Sequence, residues 1–164
     1  MIIGNGDIAK MVCKAEPKDR LYFCSGVSNS SETRESEYQR EKDLLAKQRR
    51  DLKIIYCSSL GVLNGNTRYY RHKREMEELI KKFPKYTIVR IGNILWGNNP
   101  HTLINSMKAR VAKGEKLEIR DEYRYLVNKD EFLYWINLIP SWNCEISIPG
   151  RRMKVKDVVK EYVL

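Results

Sequence analysis

The chain of 164 residues is predicted to adopt a three-layer α/β fold, in which helices cover both faces of a parallel sheet of about four main strands. Three observations predict this fold. Short apolar segments alternate with charged amphipathic ones, the connections are long enough for crossover helices, and a glycine-rich turn follows the first apolar segment. We expect one domain, with a sheet core in residues 1–97 and a small C-terminal lobe in residues 98–164.

The first strand is predicted at residues 1–3 (MII), directly before residues 4–9 (GNGDIA), which fit the pattern G-x-G-x-x-A. In this pattern Gly4 permits a tight turn, Gly6 lets a ligand approach the backbone, and the small Ala9 packs the next helix against the strand. A pyrophosphate group is expected at the start of that helix. The same glycines also fit an ordinary strand-to-helix turn, and a lone motif does not decide between the two.

The second strand is predicted at residues 21–25 (LYFCS). Asn29 or Ser30 can then cap a long charged helix that extends to about Arg50. Acidic and basic residues alternate along this helix, a pattern that usually marks a solvated face with i,i+4 ion pairs. Its narrow apolar stripe consists of Tyr38, Leu45 and Leu52.

The third and fourth strands are predicted at residues 53–57 (KIIYC) and 86–91 (YTIVRI), and the helix between them stops at Pro84. The carboxyl ends of parallel strands lie at one edge of a sheet, where such folds bind their ligands. Several candidate site residues fall at these ends, namely Gly4 with its turn, Ser25, Ser59, Gly92 and Asn93.

Residues 69–73 (YYRHK) place the phenol of Tyr69 four residues before the ammonium of Lys73, on one helical face. An adjacent ammonium stabilises phenolate, so we expect it to bring the pKa of Tyr69 from about 10 toward neutrality. Ser59 can hydrogen-bond the oxygen that gains or loses the proton. This set is suited to proton transfer, although a Tyr and a Lys at this spacing are more often a solvated surface pair. His72 beside them is expected to be a packing residue.

The order and spacing of these segments resemble the extended short-chain dehydrogenase/reductase family, particularly its NAD(P)-dependent nucleotide-sugar epimerases and dehydratases. The resemblance implies a Rossmann-like sheet, shortened here, with a small C-terminal substrate lobe. The segments that carry it are residues 4–9, 23–26 (FCSG), 56–59 (YCSS), 69–73, 89–97 (VRIGNILWG) and 124–130 (RYLVNKD).

By this resemblance Tyr69 is the acid/base, Lys73 lowers its pKa and holds the nicotinamide ribose, and Ser59 holds the reacting oxygen. The cofactor is NAD or NADP, and the substrate is a nucleotide sugar used in surface-polysaccharide synthesis. The implied cofactor contacts are Gly4, Asn5, Gly6, Asp7, Ile8, Ser25, Gly26, Val27, Ser58, Lys73 and Gly92, and the implied substrate contacts are Asn93 and Arg124.

One departure from the family concerns the adenosine half of the cofactor. In the family two further strands follow the glycine turn and carry the residue that grips the adenosine ribose, but here only residues 13–20 precede the next strand. We therefore expect weak dinucleotide binding. Loss of those strands also leaves the edge of the first strand unpaired unless a helix or a second protomer covers it, and we expect a homodimer.

A second departure concerns the reaction. Dehydratases of the family carry Asp-Glu directly after the hydroxyl residue, whereas Leu60 and Gly61 occupy these positions here. This disfavours a 4,6-dehydratase and leaves an epimerase or a ketoreductase. The alternative is a non-catalytic or weakly cofactor-binding subunit that acts as a binding or regulatory partner. Nucleic-acid binding through the net charge of +10 is a third, weaker hypothesis, because no recognition motif stands out.

Composition predicts a cytoplasmic protein. The chain has no run of 18 apolar residues and no apolar leader at its N-terminus, so we expect neither a membrane span nor a signal peptide. Its four cysteines form no C-x-x-C pair, which predicts reduced, buried thiols and no metal site. Asp130 is expected to cap a helix at residues 131–137, and the three tryptophans to pack in the core or the lobe.

Overall fold

A computed structural model describes residues 1–15 and 19–164 of the chain. Its centre is a five-stranded sheet in the order β1-β2-β3-β4-β7, with every neighbouring pair parallel. The α/β class and the parallel sheet predicted from the sequence are therefore confirmed, with one strand more than expected. The strands are β1 Ile2–Ile3, β2 Arg20–Phe23, β3 Lys53–Ser59, β4 Tyr86–Ile91 and β7 Cys144–Ile148.

Helices cover both faces of this sheet. On one face, α2 (Glu35–Ala46) and α3 (Arg68–Ile80) bury Leu45, Met76 and Ile80 against β2, β3 and β4. On the other face, α1 (Asp7–Val12) and α5 (Lys129–Asn137) bury a second apolar cluster. The strands supply both clusters because successive side chains point to opposite faces, so Ile54 joins the first cluster and Ile55 the second. The expected three layers are confirmed.

A second sheet of three strands, β5-β6-β8, lies beyond the carboxyl end of β4. It consists of β5 Asn93–Ile94, β6 Tyr123–Val127 and β8 Arg151–Lys154, and α4 (Leu103–Ala112) and α6 (Val155–Tyr162) accompany it. Their side chains share a small core formed by Ile104, Leu126, Met153 and Val158. This unit is the C-terminal lobe predicted from the sequence.

The boundary of the lobe was predicted wrongly, because residues 98–164 do not all belong to it. The strand β7 pairs with β4 in the main sheet, where Ile146 and Ile148 join the core on the α1 side. The helix α5 also packs there through Phe132 and Ile136. Burying these apolar side chains in the larger core is the physical reason for the difference.

The helix α2 is shorter than predicted, since it begins at Glu35 and ends at Ala46. Asn29 does not cap it, because its Oδ1 accepts a hydrogen bond from the backbone N–H of Ser31 at 3.0 Å. Glu32 then accepts from the backbone N–H groups of Thr33 and Arg34. These local side-chain bonds satisfy the backbone in a non-helical conformation.

Some smaller expectations are also corrected. Trp96 is buried in the core, but Trp135 and Trp142 are exposed. Cys13 is exposed as well, contrary to the expectation of buried thiols. Asn128, not Asp130, caps α5, since its side chain accepts from the backbone N–H of Glu131 at 2.8 Å.

The strand β1 lies at the edge of the main sheet, as expected. It pairs only with β2, and no strand in the described part of the chain lies on its other side. The segment between α1 and β2 is residues 13–19, of which 16–18 are outside the described residues. Within residues 1–15 and 19–164, no helix is long and apolar enough to cross a membrane.

Candidate active site

A cavity of about 440 Å³ opens at the carboxyl ends of the parallel strands, where the sequence predicted a site. Cys24 after β2, Cys57 to Ser59 at the end of β3 and Ile91 at the end of β4 form part of its wall. Most of the predicted site residues line it, namely Ile8, Gly26, Val27, Ser58, Ser59, Tyr69, Lys73, Gly92, Asn93 and Arg124. Five others do not, namely Gly4, Asn5, Gly6, Asp7 and Ser25.

The glycine turn lies beside this cavity, and its two glycines have different surroundings. Gly4 has a φ of 122°, and a Cβ at this position would lie 2.8 Å from the carbonyl carbon and oxygen of Cys24. Gly4 is therefore required for the turn itself. Gly6 is the N-cap of α1, and a Cβ there would meet nothing within 4 Å. The space above Gly6 is thus open to a ligand.

Asp7 and Ser25, which were predicted to contact the cofactor, are bonded to protein groups. The Oδ2 atom of Asp7 accepts from the backbone N–H of Asn99 at 2.9 Å, and its carbonyl oxygen accepts from the Trp96 indole at 3.3 Å. These bonds join α1 to the loop before α4. The carbonyl oxygen of Ser25 accepts from Arg40 at 3.2 Å.

The three predicted catalytic side chains come from two elements. The Ser59 Oγ accepts from the backbone N–H of Gly61 at 3.3 Å, at the start of a 3-10 turn over Leu60–Leu63. Tyr69 lies in the first turn of α3, which Thr67 caps. One turn later, the Lys73 Nζ lies 5.7 Å from the centre of the Tyr69 ring. All three residues line the same cavity.

Lys73 has a buried anionic partner that the sequence did not predict. Its Nζ lies 3.1 Å from the Oε1 of Glu41 and donates to the Tyr56 hydroxyl at 3.2 Å. Glu41 also accepts from the Tyr56 hydroxyl at 2.9 Å and from the backbone N–H of Val27 at 2.8 Å, and its Oε2 lies 2.9 Å from the Nε2 of His72. Glu41, His72 and Lys73 are all buried.

The charged segment that contains Glu41 was predicted to be a solvated face, and for Glu41 this is wrong. The position of Glu41 in the helix could have indicated that it is buried. Glu41 lies three residues after Tyr38 and four before Leu45, which places it on the apolar stripe of α2. The packing role expected for His72 agrees with its burial and with its ring lying 4.8 Å from that of Tyr38.

The electrostatics of this network also differ from the prediction for Tyr69. Burial raises the pKa of Tyr69 above its usual value, and this outweighs the lowering by the Lys73 ammonium. Although burial opposes the charge on Glu41, the Lys73 ammonium and the His72 hydrogen bond hold the pKa of Glu41 well below its usual range. Burial likewise opposes the charge on Lys73, but the Glu41 carboxylate raises the pKa of Lys73 overall. The charge of Lys73 is thus largely neutralised by Glu41.

Ser58 belongs to a second, partly buried hydrogen-bond network. Its Oγ donates to the Oε1 of Glu77 at 2.6 Å, and Arg90 donates to the Oε2 of Glu77 at 2.6 Å. Arg90 also contacts Glu145 of β7 at 2.7 Å. The Ser58 hydroxyl is therefore bonded to α3, although the residue contributes to the cavity wall.

The predicted substrate contacts lie on the lobe side of the cavity. The Nδ2 of Asn93 donates to the carbonyl oxygen of Tyr125 at 3.1 Å, which ties β5 to β6. Arg124 forms an ion pair with Glu122 at 2.6 Å. Within the described residues, no group of three or more His, Cys, Asp or Glu could hold a metal ion.

By sequence, no family model and no curated protein matches the chain. Solved structures do match it. They include UDP-galactose 4-epimerase (TM-score 0.64, 11% identity, covering 94% of this chain) and the Bordetella bronchiseptica enzyme WbmH in complex with NAD+ (TM-score 0.64, 10% identity, covering 87%). The capsular polysaccharide assembling protein CapF from Staphylococcus aureus also matches (TM-score 0.57, 16% identity, covering 87%).

These matches cover only part of the larger proteins. The chain spans 65% of the epimerase, 56% of WbmH and 43% of CapF. At such low identity the likeness establishes a shared fold. The resemblance to the NAD(P)-dependent epimerases and reductases of the extended short-chain dehydrogenase/reductase family is therefore confirmed for the fold.

Proposed function

We propose that this chain is an NAD(P)-dependent nucleotide-sugar epimerase or ketoreductase in which Tyr69, Lys73 and Ser59 transfer a proton. One observation carries the proposal. These three side chains, which the sequence separates by up to fourteen positions, line one cavity together with Gly92 and Asn93 at the carboxyl ends of the parallel strands. That edge is where folds of this type bind nucleotides.

The residues fit one half of a dinucleotide better than the other. The open space above Gly6 and the cavity of about 440 Å³ suit the pyrophosphate and nicotinamide, and the similar enzyme WbmH was crystallised with NAD+. Beyond β1, the part of the chain that the structure describes has no strand to hold the adenosine. We therefore expect binding in the tens of micromolar or weaker, an affinity of less than about 7 kcal/mol.

The site residues have complementary roles in this proposal. The dinucleotide, when bound, exchanges a hydride with the sugar. Burial keeps Tyr69 protonated near neutral pH, so its phenol can donate a proton to the sugar oxygen. The Ser59 Oγ already accepts from Gly61, which leaves its own O–H to hold the same oxygen. Lys73 bonds Glu41 and Tyr56, and its Nζ lies 5.7 Å from the centre of the Tyr69 ring, so its ammonium would hold the nicotinamide ribose beside the phenol.

The substrate class rests on the fold and on the loop after Ser59. UDP-galactose 4-epimerase and the capsular polysaccharide assembling protein have this fold, which supports a nucleotide sugar and a role in surface-polysaccharide synthesis. Leu60 and Gly61 follow Ser59, and neither has a side chain that transfers protons, so we do not propose a 4,6-dehydratase.

A second candidate function is a binding or regulatory subunit without turnover. The observation in its favour is the Glu41–Lys73 pair, because a lysine whose charge is neutralised by a buried carboxylate stabilises a phenolate less.

Binding and turnover measurements on the purified chain distinguish these functions. We expect calorimetric titrations to detect binding of NAD+ or NADP+ and of a UDP-sugar. An enzymatic function further requires that the chain converts an NDP-hexose. Nucleotide binding without conversion of any NDP-hexose would favour the binding subunit. Tighter binding of an oligonucleotide than of any dinucleotide, weakened by salt, would contradict both. Stoichiometric NAD released on denaturation would show that the adenosine half is bound after all.

A further inference from the structure

Two thiols lie side by side on the wall of the cavity. The Sγ atoms of Cys24 and Cys57 are 3.4 Å apart. Their proximity follows from the register of the parallel strands, because Phe23, the last residue of β2, pairs with Tyr56 and a cysteine directly follows each of them. Residues at equivalent positions on neighbouring strands point to the same face of the sheet. Both cysteines are partly buried and line the cavity, so a small reagent can reach them.

The backbone spacing at this position is compatible with a disulfide. Neighbouring strands lie about 4.8 Å apart, within the range of roughly 4.4 to 6.8 Å between Cα atoms that a disulfide requires. The two sulfurs would have to approach by about 1.4 Å to reach a bond of about 2.05 Å. The other two cysteines have different neighbours, since Cys13 contacts the carbonyl oxygen of Lys10 and Cys144 contacts Thr87.

We propose that Cys24 and Cys57 form a dithiol site, which small-molecule disulfides oxidise to an intramolecular disulfide. The Cys57 sulfur, as thiolate, attacks one sulfur of the reagent and breaks its S–S bond, which forms a mixed disulfide and releases one small thiol. The Cys24 sulfur then loses its proton and attacks the Cys57 sulfur, releasing the second small thiol. The protein loses two hydrogens and two electrons, and the reagent gains them.

The surroundings of Cys24 favour this order of attack. The hydrogen bond with Cys57 and burial hold the pKa of Cys24 well above its usual range, so Cys24 keeps its proton until the mixed disulfide has formed. The site does not depend on the proposed enzyme activity, because it needs only the two sulfurs and access through the cavity.

The test uses the full chain with Cys13→Ser and Cys144→Ser, which leaves only the proposed pair. The reagent is 4,4′-dithiodipyridine, and intact mass spectrometry reads the product. We expect a mass lower by about 2 Da, because two hydrogens are lost, and a peptide that links Cys24 to Cys57. The matched control adds Cys24→Ser instead and is expected to carry one stable pyridyl adduct on Cys57, because no second thiol can then release it.

Two outcomes would overturn the proposal. One is a product in which Cys24 and Cys57 each carry a separate pyridyl adduct, because the sulfurs would then not come within bonding distance. The other is a folded protein that does not react while its denatured form does, because the cavity would then not admit the reagent. Near-ultraviolet circular dichroism before the reaction confirms that the protein is folded in each case.

Discussion

The Nζ of Lys73 lies 3.1 Å from the Oε1 of Glu41, and water reaches almost none of either side chain. The glycine at position 26 makes room for this pair, because a Cβ there would overlap the Lys73 Nζ and approach Glu41 Oε1 to 2.9 Å. The next backbone N–H, that of Val27, donates to the same carboxylate. One ion pair thus joins α2, α3 and the segment after β2 at the wall of the cavity.

Replacing Glu41 by Gln should strongly destabilise the fold. The change keeps the shape of the side chain but leaves the Lys73 ammonium buried without a counter-charge, which costs about 3–5 kcal/mol. The matched control is Glu75→Gln, which removes a partly exposed carboxylate that pairs with Lys42 at 2.7 Å and should cost less than about 1 kcal/mol. Urea unfolding at pH 7 measures both changes.

A double variant separates the effect of the two buried charges on stability from the effect of the other side-chain contacts. Lys73→Met alone leaves the buried Glu41 carboxylate without its lysine cation, whereas Lys73→Met with Glu41→Gln removes both buried charges. The double variant should therefore be more stable than either single variant. If the losses of the two single changes simply add in the double variant, the pair is not an electrostatic unit.

The same pair predicts a pH dependence. The folded pKa of Glu41 lies below that of the unfolded chain, so its stabilisation is present above pH 4.3 or so and is lost as the pH falls further. The wild type should therefore begin to lose its stability advantage over Glu41→Gln as the pH falls below about 5, and the loss should continue as the pH falls toward the lower folded pKa of Glu41. Exposed carboxylates with lowered pKa values, such as Glu35 and Asp51, are common to both proteins and cancel in the difference. A difference that stays constant over this range would contradict the assignment.

The regular part of the fold could be predicted because its signals are local. The apolar strands, the glycine turn and the stripe of α3 each depend on residues close in sequence. The burial of Glu41 could not be predicted in this way, since its cation is Lys73, 32 positions away on another helix. Charge alternation suggests solvent exposure unless a buried partner is known.

The lobe boundary and the thiol pair depend equally on long-range contacts. Cys144–Ile148 is a short segment whose place beside β4 is decided by pairing across more than fifty residues. Cys24 and Cys57 meet only through the register of β2 and β3, which the sequence does not specify residue by residue.

The two glycines of the turn should respond differently to alanine. Gly4→Ala forces a positive φ on a residue with a side chain and brings its Cβ against the backbone of Cys24, so it should cost at least about 1–3 kcal/mol of stability. Gly6→Ala meets no neighbour and should leave stability almost unchanged, while weakening dinucleotide binding if the pyrophosphate approaches there. Thermal unfolding and NAD+ titration measure the two effects. Equal NAD+ affinity in wild type and Gly6→Ala would show that the pyrophosphate does not bind close to Gly6.

The exposed edge of β1 predicts self-association. Among the described residues, Ile2 and Ile3 pair only with β2, and a strand edge without a partner is a template for pairing with another chain. We expect a homodimer at micromolar concentration, and sedimentation velocity measures its mass. A monomeric mass over the whole concentration range would show that this two-residue edge is too short to recruit a second copy.

The phenol of Tyr69 is the proposed acid/base, and the neighbouring phenol of Tyr70 provides its matched control. Tyr69→Phe removes only the transferable proton, so it should preserve the fold and nucleotide binding and lower turnover by about 10²-fold or more. Tyr70 also lines the cavity, but its ring packs over Gly61 and Gly65, so Tyr70→Phe should change turnover little.

Ser59→Ala should lower turnover as well, because it removes one hydrogen bond to the reacting oxygen while the proton donor remains. It should therefore cost less than Tyr69→Phe. Initial rates on an NDP-hexose with saturating dinucleotide compare the wild type with these three variants. If Tyr70→Phe causes the large loss and Tyr69→Phe does not, the proton comes from the other phenol. If none of the three changes alters the rate, proton transfer does not limit turnover and the proposed roles of Tyr69 and Ser59 fail.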